Sequence, residues 1–119
     1  MDRKRGLWDA NLFETNELYG VDYGMSKADR LRYGQTMMTH AMLFTGVDVV
    51  DGKPRRWRVE NSWGDDSGEK GFYTMNDSWY DEHMFEIATA RKYLSEKMLD
   101  GLETEPTVLD AWDPMGSLA

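Results

Sequence analysis

Asp51-Gly52, set between two runs rich in β-branched and aromatic residues, constrains this chain more than any other feature. Glycine accepts the positive φ of a tight turn, so the dipeptide marks a β-hairpin. The incoming run, Thr39 to Val50, is apolar and partly β-branched, and reads as a largely buried strand. Pro54 is expected to lengthen the loop and to sit where no ladder hydrogen bond is needed. On the returning strand Trp57 and Val59 share one face, with Arg56, Arg58 and Glu60 on the other. If the hairpin closes, it brings together Thr39-His40-Ala41-Met42 and Arg58-Val59-Glu60-Asn61-Ser62-Trp63-Gly64.

The rest of the chain offers weaker signals. Residues 1–24 mix Gly, Asn, Asp and aromatics without a period, and read as a docking or loop segment anchored by Leu7, Trp8, Leu12, Phe13 and Leu18. Ser26-Lys27-Ala28-Asp29 has the form of a capping box, which predicts a short helix from Lys27 to about Tyr33. Residues 64–71 form a polar loop without the alternating oxygens and distal Glu of a calcium loop. Phe72-Tyr73-Thr74-Met75 reads as a strand, and Asn76-Asp77 can cap a helix reaching about Met84. Between Phe85 and Tyr93 the alternation of Phe85, Ile87 and Thr89 predicts a strand, although Ala88 and Ala90 also suit a helix. Ser95 caps a last helix bearing the apolar stripe Met98, Leu99 and Leu102. Residues 106–119 read as an extended arm, yet Val108, Leu109, Trp112, Met115 and Leu118 call for burial. The expected organisation is a docking segment (1–24), an α+β unit with a mostly antiparallel sheet and short flanking helices (25–105), and the arm.

At 119 residues there is room for one core, and 40% hydrophobic with 13% aromatic residues are globular values. A net charge of −8 repels phosphate backbones, which makes nucleic acid a poor partner. The local cluster Arg3-Lys4-Arg5 reads as a solvated terminal segment. With no cysteine there is no disulfide framework and no thiolate zinc site. Neither a signal peptide nor an apolar run of the ~20 residues that span a membrane is visible, so a soluble, cytoplasmic protein with no membrane partner is expected. Two histidines without H-x-x-x-H spacing argue against a metal site, and no cofactor is expected.

The chemistry concentrates on His40. An asparagine Oδ1 at position 61 can accept a hydrogen bond from one imidazole nitrogen, which fixes the tautomer and the ring plane. The other nitrogen is then offered to a nucleophile. Trp63 can cover this bond and keep water from it. His83, on an expected helix surface, reads as structural.

His40-Ala41-Met42, Trp57-Arg58-Val59-Glu60-Asn61-Ser62-Trp63-Gly64 and Gly68-Glu69-Lys70-Gly71-Phe72 resemble the C-terminal half of papain-like cysteine peptidases. With Met38-Thr39 and the terminal Ala111-Trp112-Asp113-Pro114-Met115-Gly116-Ser117-Leu118-Ala119, the resemblance narrows to the bleomycin hydrolase and aminopeptidase C group. It runs from about residue 20 to the end. The resemblance implies the barrel-like side of a two-lobed fold, with His40 as general base, Asn61 as its orienter and Trp63 as a shield. It also implies an arm lying in the cleft, whose Leu118 and Ala119 carboxylate meet the amino terminus of a peptide substrate, and a hexameric assembly. The cysteine and the oxyanion glutamine of that family belong to its N-terminal half, so the expectation is a C-terminal piece of a cysteine aminopeptidase, inactive alone, whose partner is the missing half. The competing expectation is a non-catalytic binding module that kept this half of the fold.

Overall fold

The computed structural model describes residues 1–115, and the expected contacts of Leu118 and Ala119 lie outside them. Four strands form one sheet: β1 (Leu7–Trp8), β2 (Leu43–Val50), β3 (Lys53–Glu60) and β4 (Phe72–Asn76), in the spatial order β1-β4-β3-β2. The pairs β2–β3 and β3–β4 are antiparallel and β1 joins β4 in parallel. The described residues also form four short helices, α1 (Thr15–Tyr19), α2 (Lys27–Arg32), α3 (Asp77–His83) and α4 (Glu96–Leu102), of which α3 packs against β3 and β4. The mostly antiparallel α+β arrangement expected from the sequence is the one observed.

The hairpin closes in two residues. Val50 pairs with Lys53, and Asp51 and Gly52 both take positive φ (51° and 77°), the pattern of a turn whose twist matches its strands. Pro54 therefore does not lengthen the loop. It sits in β3 opposite Val49, at a register shift and beyond the last β3–β4 pair, Arg56 with Asn76. There its missing N–H breaks no ladder.

Directly paired residues point to one face, so the register builds the core in rows. Phe44, Val59 and Tyr73 make one row; Trp57, Met75 and Trp8 make the next. Trp8, Val59, Tyr73 and Met75 are buried, with Met42, Phe44, Trp57, Trp79 and Tyr80 packed around them. Trp57 stacks on Tyr80 of α3 at 4.9 Å and donates its indole N–H to Asp77 Oδ1 at 2.8 Å, which seats the helix against the sheet. The opposite face is polar, with the Arg58 guanidinium 3.6 Å above the Phe72 ring.

Helix α2 begins as expected, with Ser26 Oγ accepting from Asp29 N at 3.1 Å. Its cations hold the far end of α3. Lys27 donates to the carbonyls of Asp81 and Met84, and Arg30 donates to the carbonyl and carboxylate of Glu82. Cations belong at a helix C-terminus, where carbonyls lack partners. At the opposite end of α3, Asp9 accepts from Asn76 Nδ2 and from Ser78 Oγ. The Asn11 N–H and these two side chains hold its carboxyl below the usual carboxylate range, against the opposing effect of burial.

Three expectations need correction. Residues 39–42 precede the strand, and β2 is not buried: Leu43, Val47, Val49 and Val50 are exposed along the outer edge of the sheet. No other described strand lies beside that edge. Residues 84–90 form no strand despite the alternation of Phe85, Ile87 and Thr89, and they pair with none of the four described strands. A 3-10 turn follows at Arg91–Tyr93. Residues 1–24, in contrast, contribute an element, since Leu7–Trp8 joins the sheet and Trp8 enters the core.

The molecule is open for its length. Its radius of gyration is 16.8 Å, whereas a compact domain of this size has about 13.5 Å. Its accessible surface is 9667 Å², against about 6,600 Å² for a folded monomer of this mass. No described helix is long and apolar enough to cross a membrane.

Candidate active site

The site stands where the hairpin strands begin and end. Leu43 at the start of β2 pairs with Glu60 at the end of β3, so Met42 and Asn61 lie at one end of the sheet. Asn61 is one step beyond β3 yet stays anchored, its N–H bonded to the Gly71 carbonyl at 3.0 Å. Gly71 immediately precedes β4, so the sheet continues through one further backbone bond to fix this residue. Asn61 is polar yet buried, at 8% exposure.

His40 reaches that side chain. Its Nε2 lies 2.8 Å from Asn61 Oδ1. An amide oxygen only accepts, so in the neutral ring Nε2 carries the proton and Nδ1 is left as the acceptor. Asn61 Oδ1 also accepts the Ser62 N–H at 2.8 Å, which holds the amide plane. Its Nδ2 is buried and bonds to no described residue.

Trp63 stacks on the imidazole, with ring centroids 5.0 Å apart and planes 20° from parallel. It remains 43% exposed. Its ring meets Tyr73 edge-on at 6.4 Å, and the Arg3 guanidinium lies 4.8 Å from its centroid. The structure thus brings together His40, Asn61 and Trp63. His83 is elsewhere: half-buried on α3, it packs against Trp79 at 4.0 Å. Burial first, then the charges of Arg30 and Lys27, lowers its pKa from the usual histidine value, with Glu82 opposing. Among the described residues no group of three or more His, Asp or Glu is arranged to hold a metal ion.

Two contributors had no clear signal in the sequence. Gly71 acts through a backbone carbonyl, which no side-chain pattern reveals. Arg3 belongs to a basic cluster that reads as solvated, and only the fold carries it to Trp63.

The chain matches the model of the Peptidase C1-like family over residues 1–116. The chain belongs to that family. It is 43% identical to aminopeptidase C of Listeria innocua over 118 residues, covering 99% of this chain and 27% of the relative. It is 49% identical to human bleomycin hydrolase over 120 residues, covering 98% of this chain and 26% of the relative. The solved structure of PepW from Lactobacillus rhamnosis superposes with a TM-score of 0.91 at 47% identity, covering all of this chain and 27% of that one. The chain therefore spans about a quarter of the length of the curated relatives it matches. The resemblance read from the motifs extends over residues 1–20 as well, where the motifs carried no family signal.

Proposed function

We propose that this chain is the histidine- and asparagine-bearing part of a cysteine aminopeptidase that removes N-terminal residues from peptides. The observation that carries this reading is the bond from His40 Nε2 to Asn61 Oδ1, which leaves Nδ1 free as a base. The chain has no cysteine, so the nucleophile comes from the remaining polypeptide of the enzyme. In this reading His40 Nδ1 takes the thiol proton, giving a thiolate–imidazolium pair. The thiolate adds to the scissile carbonyl, and the imidazolium returns the proton to the leaving amine as the C–N bond breaks. Water, deprotonated by the same nitrogen, then releases the acyl group and regenerates the thiol. Asn61 holds the ring plane throughout, and Trp63 keeps water from the orienting bond.

In this reading the arm, residues 106–119, lies in the cleft, where Leu118 and Ala119 meet the amino terminus of the substrate. Obstruction by the arm then confines the enzyme to N-terminal residues. The assembled form is a homo-oligomer, a hexamer as the family resemblance implies, working in the cytoplasm.

A fluorogenic aminoacyl substrate tests the reading. The pure 119-residue chain is expected to show no turnover. Combined with a polypeptide supplying the cysteine-bearing part, it gains thiol-dependent activity. His40→Ala then removes general acid–base catalysis, a loss of about 10²–10⁴-fold, and Asn61→Ala costs less. Turnover by the chain alone, or full activity of His40→Ala, would defeat it.

A further inference from the structure

We propose that Arg3 is a positioning residue for His40, acting through the indole of Trp63. The inference rests on the reading of His40 as the general base.

Arg3 does not hang on a loose terminus. Asp2 and Leu7 close a turn around it by exchanging two backbone hydrogen bonds, at 2.7 and 3.0 Å. The Asp2 carboxylate tightens that turn by accepting the Arg5 N–H at 3.0 Å. The turn leads into β1, and the Gly6 carbonyl accepts from Thr74 N at 2.8 Å.

The same turn is seated on the loop that follows Trp63. Gly6 has a φ of +66°, and a Cβ there would stand 2.9 Å from Gly68 Cα and 3.1 Å from the Phe72 carbonyl. Only glycine permits both the conformation and the approach. The backbone of residues 2–8 and that of the Trp63 loop are thus in direct contact, and Arg3 is presented to the indole from a fixed platform.

Among the described residues no carboxylate pairs with its charge. The described ion pairs of arginine use Arg5, Arg30, Arg32, Arg55 and Arg91, and none uses Arg3. The guanidinium is instead placed over the Trp63 ring, where the quadrupole of the π-face attracts a cation. Trp63 needs such a constraint. It is 43% exposed, and Tyr73 meets it only edge-on. His40 is exposed as well, and its second contact besides Asn61 is this same indole. Arg3 fixes the indole, the indole fixes the imidazole plane, and that plane sets the direction of Nδ1.

Proton NMR of the 119-residue chain reads this directly, because the Trp63 ring current displaces the His40 ring signals. Arg3→Ala and Arg3→Gln are expected to roughly halve that displacement, and Arg3→Lys to keep most of it, since a cation–π contact needs the charge and not the shape. Lys4→Ala removes an equal charge from the same segment and should leave the signals in place. The proposal is overturned if Arg3→Gln matches the parent chain, if Lys4→Ala has the same effect as Arg3→Ala, or if the parent chain shows no displaced His40 signals. In the reconstituted enzyme Arg3→Ala should lower kcat about threefold at unchanged KM, in keeping with an exposed cation–π contact. An active His40→Ala enzyme sinks the general-base reading while leaving the NMR result intact, so the two failures are told apart.

Discussion

A single acceptor atom decides the chemistry available at His40. Because Asn61 Oδ1 cannot donate, it selects the Nε2–H tautomer and leaves Nδ1 bare. Asn61→Ala removes this selection and also strips the Ser62 N–H of its acceptor. Nitrogen NMR should show one dominant tautomer in the parent chain and a mixture in the variant. The variant should also lose about 0.5–1.5 kcal/mol of stability for each hydrogen bond removed, since His40 and Ser62, the partners left behind, are exposed to water. A single unchanged tautomer would mean that something other than Asn61 orients the ring. His40 and Asn61 were legible in the sequence because their motifs are contiguous, and the hairpin between them carries its own turn signal. Arg3 was not, since its partner lies 60 positions away and no periodicity links them.

Elements were legible where local chemistry sufficed. The Asp51-Gly52 turn, the Ser26 and Ser95 caps and strand β4 all follow from a few adjacent residues. The segment 84–90 failed for the opposite reason: alternation prepares a strand, but only a neighbour makes one, and none is described there. Strand β1 failed because two residues joining a partner 67 positions away leave no pattern. Helix α3 supports a test of its own. His83 has a lowered pKa through burial and the facing cations Arg30 and Lys27, partly offset by Glu82. Below the ordinary histidine value of about 6.5 the unfolded chain takes up a proton that the folded chain resists. Stability from this group is therefore complete above that value and declines as the pH falls through it toward the folded pKa. Denaturant unfolding at pH 7 and pH 5 should show this loss in the parent chain and a smaller one in His83→Phe. Equal losses in both would remove His83 from the account.

At the scale of the molecule, surface is the governing quantity. The chain exposes Leu43, Val47, Val49 and Val50 on the outer strand, and Val108 and Trp112 on the arm are 91% and 81% exposed. Its radius of gyration exceeds that of a compact domain, so much apolar surface lacks cover. An unpaired edge strand of this length is a template for pairing, and contiguous apolar surface favours association. The isolated chain is expected to self-associate and to bind a hydrophobic dye, with both effects reduced when the remaining polypeptide is supplied. A sharp monomer peak in sizing at high concentration, without dye binding, would refute this.

The hairpin also acts as a ruler. His40 lies before its first strand and Asn61 after its second, so the match between imidazole and amide is measured out along both strands, each about 26 Å long. The measure includes two register shifts, between Phe44 and Gly46 and between Asp48 and Val49. Inserting or deleting one residue at the distant tip slips the pairing and turns alternate side chains to the other face. Counting along the hairpin thus sets whether His40 and Asn61 meet, and a change of length at Asp51-Gly52 would be felt as a change of tautomer.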